Sequence, residues 1–342
     1  MSDVAEVQVL GRRQVEQLLS MDEALKVVER AFLLEGQGVT VMPPKLYLNL
    51  PQYDGDFRAM PAYIDGAVGF KWVSVYPNNW KYNLPSVIAI IVLSDLNTGR
   101  ILSIMDGTYI TSVRTGAAGG IAVKYLARRD SSVIGLIGAG VQARTQLLAI
   151  SKVLPRIEEV KVFDQQRDAS TRYVNEMSTK LDINIRPVET IEEATEADIV
   201  VTSTPSRKPV VKKQHISPGT HINAIGADAK GKQELEADLL KKAKIIIDNL
   251  EQASHSGEIN VPLSRGVIKV EDIYGTLGEV VANIRKGRES DEEITVFDST
   301  GLAIQDIICA KFVYDKSIRK DFPPLSSCNL VLGVRYDRIA ER

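Results

Sequence analysis

The run Ser132-Val-Ile-Gly-Leu-Ile-Gly138-Ala139-Gly140-Val141-Gln142-Ala143 constrains this chain more than any other segment. A continuous apolar stretch enters G-x-G-x-x-A and leaves into a helical pattern carried by Leu147, Leu148 and Val153. Gly138 permits a tight turn. Gly140, with no Cβ, lets a pyrophosphate approach the backbone, and Ala143 is small enough for helix and strand to pack closely. The amides that open the helix, from Ala139 through Val141 and Gln142, are placed to receive phosphate charge with the help of the helix dipole. The motif alone is a weak signal. Its weight here comes from its place between a strand and a helix, and from a second strand, 160–163, that ends in Asp164. The Asp164 carboxylate can accept hydrogen bonds from both ribose hydroxyls of an adenosine. A 2′-phosphate at ~4 Å would meet a repulsion of about 4 kcal/mol before screening at an effective dielectric near 20. That favours NAD over NADP, with Arg167 close enough in sequence to soften the preference.

Further apolar runs at 133–137, 199–202, 221–225, 245–248 and 294–297 alternate with helical stretches, as in a parallel sheet covered on both faces. Before about 127–131 the rhythm differs. Ser20-Met-Asp-Glu23 forms a capping box for a helix that Gly36 stops. Short runs at 45–50, 69–75, 86–93 and 101–105 then read as strands of an antiparallel or mixed sheet, followed by a small-residue helix at about 111–128. The expected fold is α/β. A Rossmann dinucleotide-binding domain, 129–301, accompanies an α+β substrate-binding and dimerisation domain, 1–128, joined by a C-terminal helix within about 302–342. The length of 342 residues suits two domains of ~150.

Composition narrows the partners. Lys plus Arg number 42 against 44 Asp plus Glu, a net charge of −2, which excludes a strongly basic nucleic-acid or membrane-surface protein. The longest apolar stretch, 87–93, falls far short of the ~20 residues that span a bilayer. Residues 1–6 show no secretory signal, and Cys309 and Cys328 lack metal-ligand spacing. A cytoplasmic protein with two reduced thiols is expected, and His215, His221 and His255 are too scattered to form a ligand set for a metal.

Ligands of open α/β sheets bind beyond the carboxyl ends of the strands. Thr202-Ser203-Thr204-Pro205 and Gly226-Ala227-Asp228 both follow such ends. Asp228 either serves turn chemistry or faces a nicotinamide. In the first domain Lys45, Arg58, Lys71 and Arg114 form a cationic set. Lys71 interrupts an apolar strand and Arg114 opens a helix of small residues. A buried charge requires a partner, so these two are either held in internal salt bridges or offered to a carboxylate ligand.

Taken together, Thr111-Ser-Val-Arg-Thr-Gly-Ala-Ala-Gly-Gly120, Gly138–Ala143, His221-Ile-Asn-Ala-Ile-Gly-Ala-Asp-Ala-Lys-Gly-Lys-Gln-Glu-Leu235 and Phe297-Asp-Ser-Thr-Gly-Leu-Ala-Ile-Gln-Asp306 resemble the ornithine cyclodeaminase/mu-crystallin family, over about residues 20–314. The resemblance implies a homodimer paired through the N-terminal sheets and a substrate cleft between domains. It further implies carboxylate binding by Lys45, Lys71 and Arg114, a catalytic Asp228, and Ser299-Thr300-Gly301 at the nicotinamide. From the residues alone, Ser299-Thr300-Gly301 reads as a strand-to-helix turn with a hydroxyl N-cap.

The family's activities differ at one position. Ornithine cyclodeaminases carry a glutamate before Met-Pro, where this chain has Arg58-Ala-Met-Pro61, with Asp56 two residues away. Met42-Pro-Pro-Lys45, Arg58–Pro61 and Gly69-Phe-Lys-Trp-Val73 look closest to the archaeal-type alanine dehydrogenases of the family. The resemblance therefore implies NAD-dependent oxidation of L-alanine to pyruvate, with Lys45 and Arg58 at the substrate and Lys45 sharing catalysis with Asp228. Ornithine cyclodeaminase, cyclic-imine reductase and a non-catalytic nucleotide-binding role are the competing expectations. The acidic run 289–293 reads as a solvated face.

Overall fold

The computed structural model describes residues 7–154 and 156–320. Residues 1–6, Cys328 and the rest of the tail from 321 lie outside the described residues. The chain forms two compact units. One comprises the described parts of Met1–Ala31, Val39–Arg114 and Leu302–Arg342, and the other Phe32–Gly38 and Thr115–Gly301. No described helix is long and apolar enough to cross a membrane.

The first unit carries a six-stranded sheet of β1 (Gln8–Leu10), β2 (Leu46–Leu50), β3 (Gly55–Ile64), β4 (Ala67–Val75), β5 (Val87–Ser94) and β6 (Ile101–Asp106), in the order β1-β6-β5-β4-β3-β2. It is mixed, because β1 joins β6 in parallel while the other pairs are antiparallel. β3 escapes the sequence reading because Asp56, Arg58 and Pro61 break its apolar pattern. Pro61 is tolerated because its nitrogen, like that of Tyr63, which bonds the Val41 carbonyl, faces the β2 side. The β2 ladder ends two residues short of it, at Leu46 opposite Ala59. One sheet face buries Met60, Ala62, Val73 and Ile91, and the helix Ala303–Arg319 packs on β3, β4 and β5. The other face exposes Leu46, Leu48, Phe70 and Trp72, with Phe57 stacked on Trp72 at 5.4 Å between ring centroids.

The helix expected at 111–128 runs over Gly107–Leu126, because the Asp106 carboxylate accepts from the Tyr109 amide at 2.8 Å and caps it earlier. The change of unit falls inside this helix, after Arg114, whereas the change in sequence rhythm marks only the helix end. The Ser20–Glu23 capping box forms as expected.

The second unit is built on eight parallel strands: β7 (Val133–Ile137), β8 (Glu159–Phe163), β9 (Ile185–Pro187), β10 (Ile199–Thr202), β11 (His221–Ala224), β12 (Lys244–Ile247), β13 (Ile273–Thr276) and β14 (Thr295–Asp298). Their order is β13-β12-β14-β11-β10-β7-β8-β9. Apolar clusters cover both faces, which is why the central strands read as continuous hydrophobic runs. The short edge strands β9 and β13 carry too little apolar pattern to be read in advance. From β7 the chain winds outward through β8 and β9, then returns to place β10 on the other side of β7. The crevice between β7 and β10 is the topological switch point.

Two sequence expectations need correcting here. The helix after β14 is capped at Leu302 rather than by a hydroxyl, because the Thr300 hydroxyl donates to Asp248 at 2.9 Å. The acidic run is not simply solvated, since Glu289 and Glu293 hold the Lys244 ammonium at 2.9 and 3.4 Å.

His221 belongs to a buried polar network. Its ring meets Thr295 and Asn223, each at 2.9 Å. Asn223 donates to Gln146 and to the Gly119 carbonyl, each at 3.1 Å, and Gln146 donates to the Thr115 carbonyl. Burial pushes the His221 imidazole down to about 3, so it stays neutral. A Cβ on Gly119 would lie 1.8 Å from Gln146 Oε1, so glycine is required for the network to close. Gly119→Val should therefore cost about 1–3 kcal/mol from overpacking alone. A lowered midpoint in chemical unfolding is the expected measurement.

Candidate active site

The glycine-rich turn leaves β7 with Gly138 at φ +97°, a region that favours glycine. The Gly138 amide donates to the Phe163 carbonyl at 2.9 Å, and a Cβ there would meet the Ser203 carbonyl oxygen at 2.9 Å. At Gly140, by contrast, no atom of the described residues beyond its two chain neighbours lies within 4 Å of where a Cβ would stand, so the backbone is open to a ligand. Gly140 is the N-cap of the helix Val141–Val153, whose first amides have no intrahelical acceptor. Arg144 donates to the Ala139 and Gly140 carbonyls at 2.6 and 3.0 Å, which ties down the acceptors of the turn. Arg144 itself pairs with Glu176 and lies over the Tyr173 ring, and the Tyr173 hydroxyl donates to the carbonyl of buried Ala143.

A cavity of about 370 Å³ opens at this switch point. Of the residues expected at a cofactor, Gly138, Ala139, Gly140, Asp164, Ser203 and Thr204 line it. Asp164 accepts from the Ala139 and Gln166 amides, each at 2.9 Å, which orients both oxygens and leaves lone pairs for ribose hydroxyls. The Ser203 hydroxyl is buried without a hydrogen-bond partner among the described residues. An open glycine backbone, an oriented acid and an orphaned hydroxyl around one cavity fit a dinucleotide.

The other expected cofactor residues do not line this cavity. Exposed Arg167 pairs with Glu189 at 2.8 Å. Val141 is partly exposed at the helix start, and Gln142 accepts from the Thr145 hydroxyl. Ala227 is buried, and the Ser299 hydroxyl is buried without a partner among the described residues. Thr300 and Gly301 donate their amides to Asp248 at 2.6 and 2.7 Å.

Sequence reasoning missed the residue that braces this region, Glu234. One of its oxygens accepts from the Thr204 amide and hydroxyl, both at 2.7 Å. The other accepts from the Thr202 hydroxyl and the Gly226 amide, both at 2.8 Å. The loops leaving β10 and β11 are thus held by one buried carboxylate, and the second of them carries Asp228. The Glu234 amide in turn donates to Glu258, whose carboxyl burial and Glu234 together push well above its usual range. Asp228 is part-exposed and ion-pairs with Lys232, four residues on. An acid set beside an apolar residue, as in Gln233-Glu234-Leu235, was the available signal.

In the first unit, Lys45, Arg58, Lys71 and Arg114 are all buried. Arg58 on β3 and Lys71 on β4 occupy diagonal positions on one sheet face, because Met60 opposes Lys71 and Val73 opposes Arg58. Lys45 precedes β2 in the register that continues onto Met60. The internal salt bridges weighed for Lys71 and Arg114 do form, and to a single carboxylate. Asp306 lies 2.7 Å from Lys71 Nζ and 2.9 Å from Arg114 Nε. Arg58 is gripped by Asp56 at 2.6 and 3.2 Å and lies over the Tyr47 ring. Burial pushes the Lys71 ammonium down to about 7; Asp306 opposes the shift, and Arg114 and Lys45 add to it. Asp306 was also missed, although an acid inside the apolar run Ala303-Ile304-Gln305-Asp306-Ile307-Ile308 was visible.

A parallel sheet with a dinucleotide-type cavity at its switch point, in a chain that also buries a cationic sheet face, defines a class of nucleotide-dependent enzymes. The chain belongs to the ornithine cyclodeaminase/mu-crystallin family, whose model matches residues 5–321. It is 53% identical to an alanine dehydrogenase of Archaeoglobus fulgidus over 92% of this chain and 97% of the relative. Among solved structures it is similar to an archaeal alanine dehydrogenase dimer with bound NAD, with TM-score 0.89, 53% identity, and coverage of 92% of this chain and 97% of that one. It is also similar to the Delta(1)-pyrroline-2-carboxylate reductase of Thermococcus litoralis in complex with NADH and L-proline, with TM-score 0.90, 42% identity, and coverage of 96% and 99%.

Glu234→Ala leaves buried donors without an acceptor, at about 1–3 kcal/mol for each one that water does not reach. Lower thermal stability together with weaker NADH binding, read by fluorescence titration, is the expected outcome.

Proposed function

We propose that the protein is an NAD-dependent dehydrogenase of a small amino acid, converting L-alanine, NAD⁺ and water reversibly to pyruvate, ammonium, NADH and a proton. The observation that carries this reading is the Asp56–Arg58 pair on β3. A diamine substrate needs an acid for its distal ammonium. Here Arg58 stands at the position that separates the family's activities, and the neighbouring acid is already engaged by its guanidinium. A cation so placed suits a substrate whose only fixed negative charge is its carboxylate.

In this reading Arg58, Lys71 and Arg114 hold the substrate carboxylate, Arg by planar donor pairs and Lys as a point charge. Asp228 takes protons from the amine and from the attacking water as general base, and Lys232 orients its carboxylate. Lys45 donates to the oxygen that develops at the α-carbon. NAD, when bound along the glycine-rich turn, supplies the hydride acceptor. The chain's own work is alignment and proton transfer.

A second reading, reduction of a cyclic imine carboxylate, draws support from the likeness to the pyrroline-carboxylate reductase. It uses the same carboxylate grip and the same cofactor. The apolar outer face of the first sheet supports a homodimer, and the solved archaeal alanine dehydrogenase is a dimer.

Absorbance at 340 nm tests the main reading. L-Alanine with NAD⁺ should give NADH, L-ornithine should give neither NADH nor proline, and NADH consumption with a cyclic imine but not with pyruvate plus ammonium would select the second reading. Asp228→Asn should lower kcat by about 10²–10⁴-fold, the usual contribution of a positioned base, while NADH binding stays near normal. Trp72→Lys should shift the protein from dimer to monomer in sedimentation analysis.

A further inference from the structure

Lys71 and Arg114 share one acid where a one-to-one match would need two. The Asp306 carboxylate is fully buried and meets Lys71 through one oxygen and Arg114 through the other. The second contact of Arg114 is neutral Gln305, at 3.2 Å. Among the described residues, these three ionised groups therefore sum to one net positive charge. Lys45 also acts on Lys71 from the head of β2. Buried Cys309 follows Asp306 on the same helix, and burial with the Asp306 charge pushes its thiol up, so it adds no charge of its own.

Two alternatives show why a single acid matters. With no acid, a buried lysine beside Arg114 and Lys45 would shed its proton and lose its grip on an anion. With two acids, the cations would be neutralised and would have nothing left for a ligand. We propose that Asp306 is a positioning residue for the substrate-carboxylate site: it holds Lys71 in its ammonium form beside Arg114 and, by answering only one of the two charges, leaves the other for the ligand. This rests on the assignment of Lys71 and Arg114 to the substrate carboxylate made above.

The sign of the pH dependence follows. A carboxylate ligand binds the protonated form of Lys71, so affinity is highest below the Lys71 midpoint and falls as pH rises through it. Burial sets that midpoint first, and three charged groups then adjust it: Asp306 from the helix Ala303–Arg319 raises it, while Arg114 from the helix Gly107–Leu126 and Lys45 ahead of β2 lower it.

The experiment is pyruvate binding to the protein–NADH complex, followed by NADH fluorescence across the neutral pH range. The wild-type protein should lose pyruvate affinity above about 7. Asp306→Asn should move that midpoint down by about 1–3 pH units, the size of effect expected of an adjacent opposite charge. At neutral pH its KM for the 2-oxo acid should rise at least tenfold, with kcat much less affected and NADH binding unchanged. Asp306→Glu should restore the midpoint. A purely structural role would lower thermal stability without moving it. Should Asp306→Asn fail to fold, the double variant Lys71→Met/Asp306→Asn removes opposite charges together and should bind pyruvate weakly with no midpoint near neutrality. A midpoint that stays at its wild-type value in Asp306→Asn, or any midpoint near neutrality in the double variant, overturns the proposal. A wild-type protein with no midpoint at all refutes instead the placement of Lys71 at the carboxylate.

Discussion

Taking a cation out of water costs several kcal/mol unless a counter-charge and hydrogen bonds replace the lost hydration, and the first unit buries Lys45, Arg58, Lys71 and Arg114. The sheet face that carries Arg58 and Lys71 is stable because a helix from the far end of the chain delivers Asp306 onto it. The second unit faces the same constraint with the sign reversed. Glu234 is buried beside two loops, and four donors, three from those loops and one from the end of β10, surround it. In each case the buried charge organises the segments that carry the residues of the proposed site. Removing it would unmake more than one contact.

Much of the fold could be read in advance because its central strands are buried on both faces. Val133–Ile137 and Ile199–Thr202 lie where their apolar runs place them. The strands that were missed are those in which packing does not show in composition. In β3 a chelated arginine and a proline sit within a half-buried strand, and their tolerance depends on how far β2 extends beside it. The strands β9 and β13 are edge strands of a few residues whose pairing is decided by their neighbours. The extent of the helix Gly107–Leu126 was likewise hidden, since its start depends on the Asp106 cap and its glycines on close approach to Thr145 and Gln146.

The candidate site was legible where a residue type has few other uses. The glycines of the turn and the acid at the end of β8 line one cavity. Partners were not legible. That Thr202 and Thr204 spend their hydroxyls on Glu234, or that Thr300 spends its own on Asp248, follows from tertiary contacts 30 to 52 residues apart in sequence and leaves no local pattern. The same holds for Asp306, which lies 192 residues from Arg114. A sequence shows that a buried lysine needs an answer. It does not show which carboxylate gives it, or whether one acid serves two cations.

The Asp56–Arg58 pair bears on how substrate preference can change within such a scaffold. Residues two apart on a strand project to the same side, so exchanging Arg58 for an acid would set a second carboxylate against Asp56 in a half-closed space. The new acid would arrive already opposed by its neighbour and would hold a shared proton more readily than a distant ammonium. On the proposed assignment of Arg58 to the substrate, a route from monoamine to diamine recognition runs through paired exchanges at 56 and 58, and a single replacement along it passes through a form that suits neither kind of substrate.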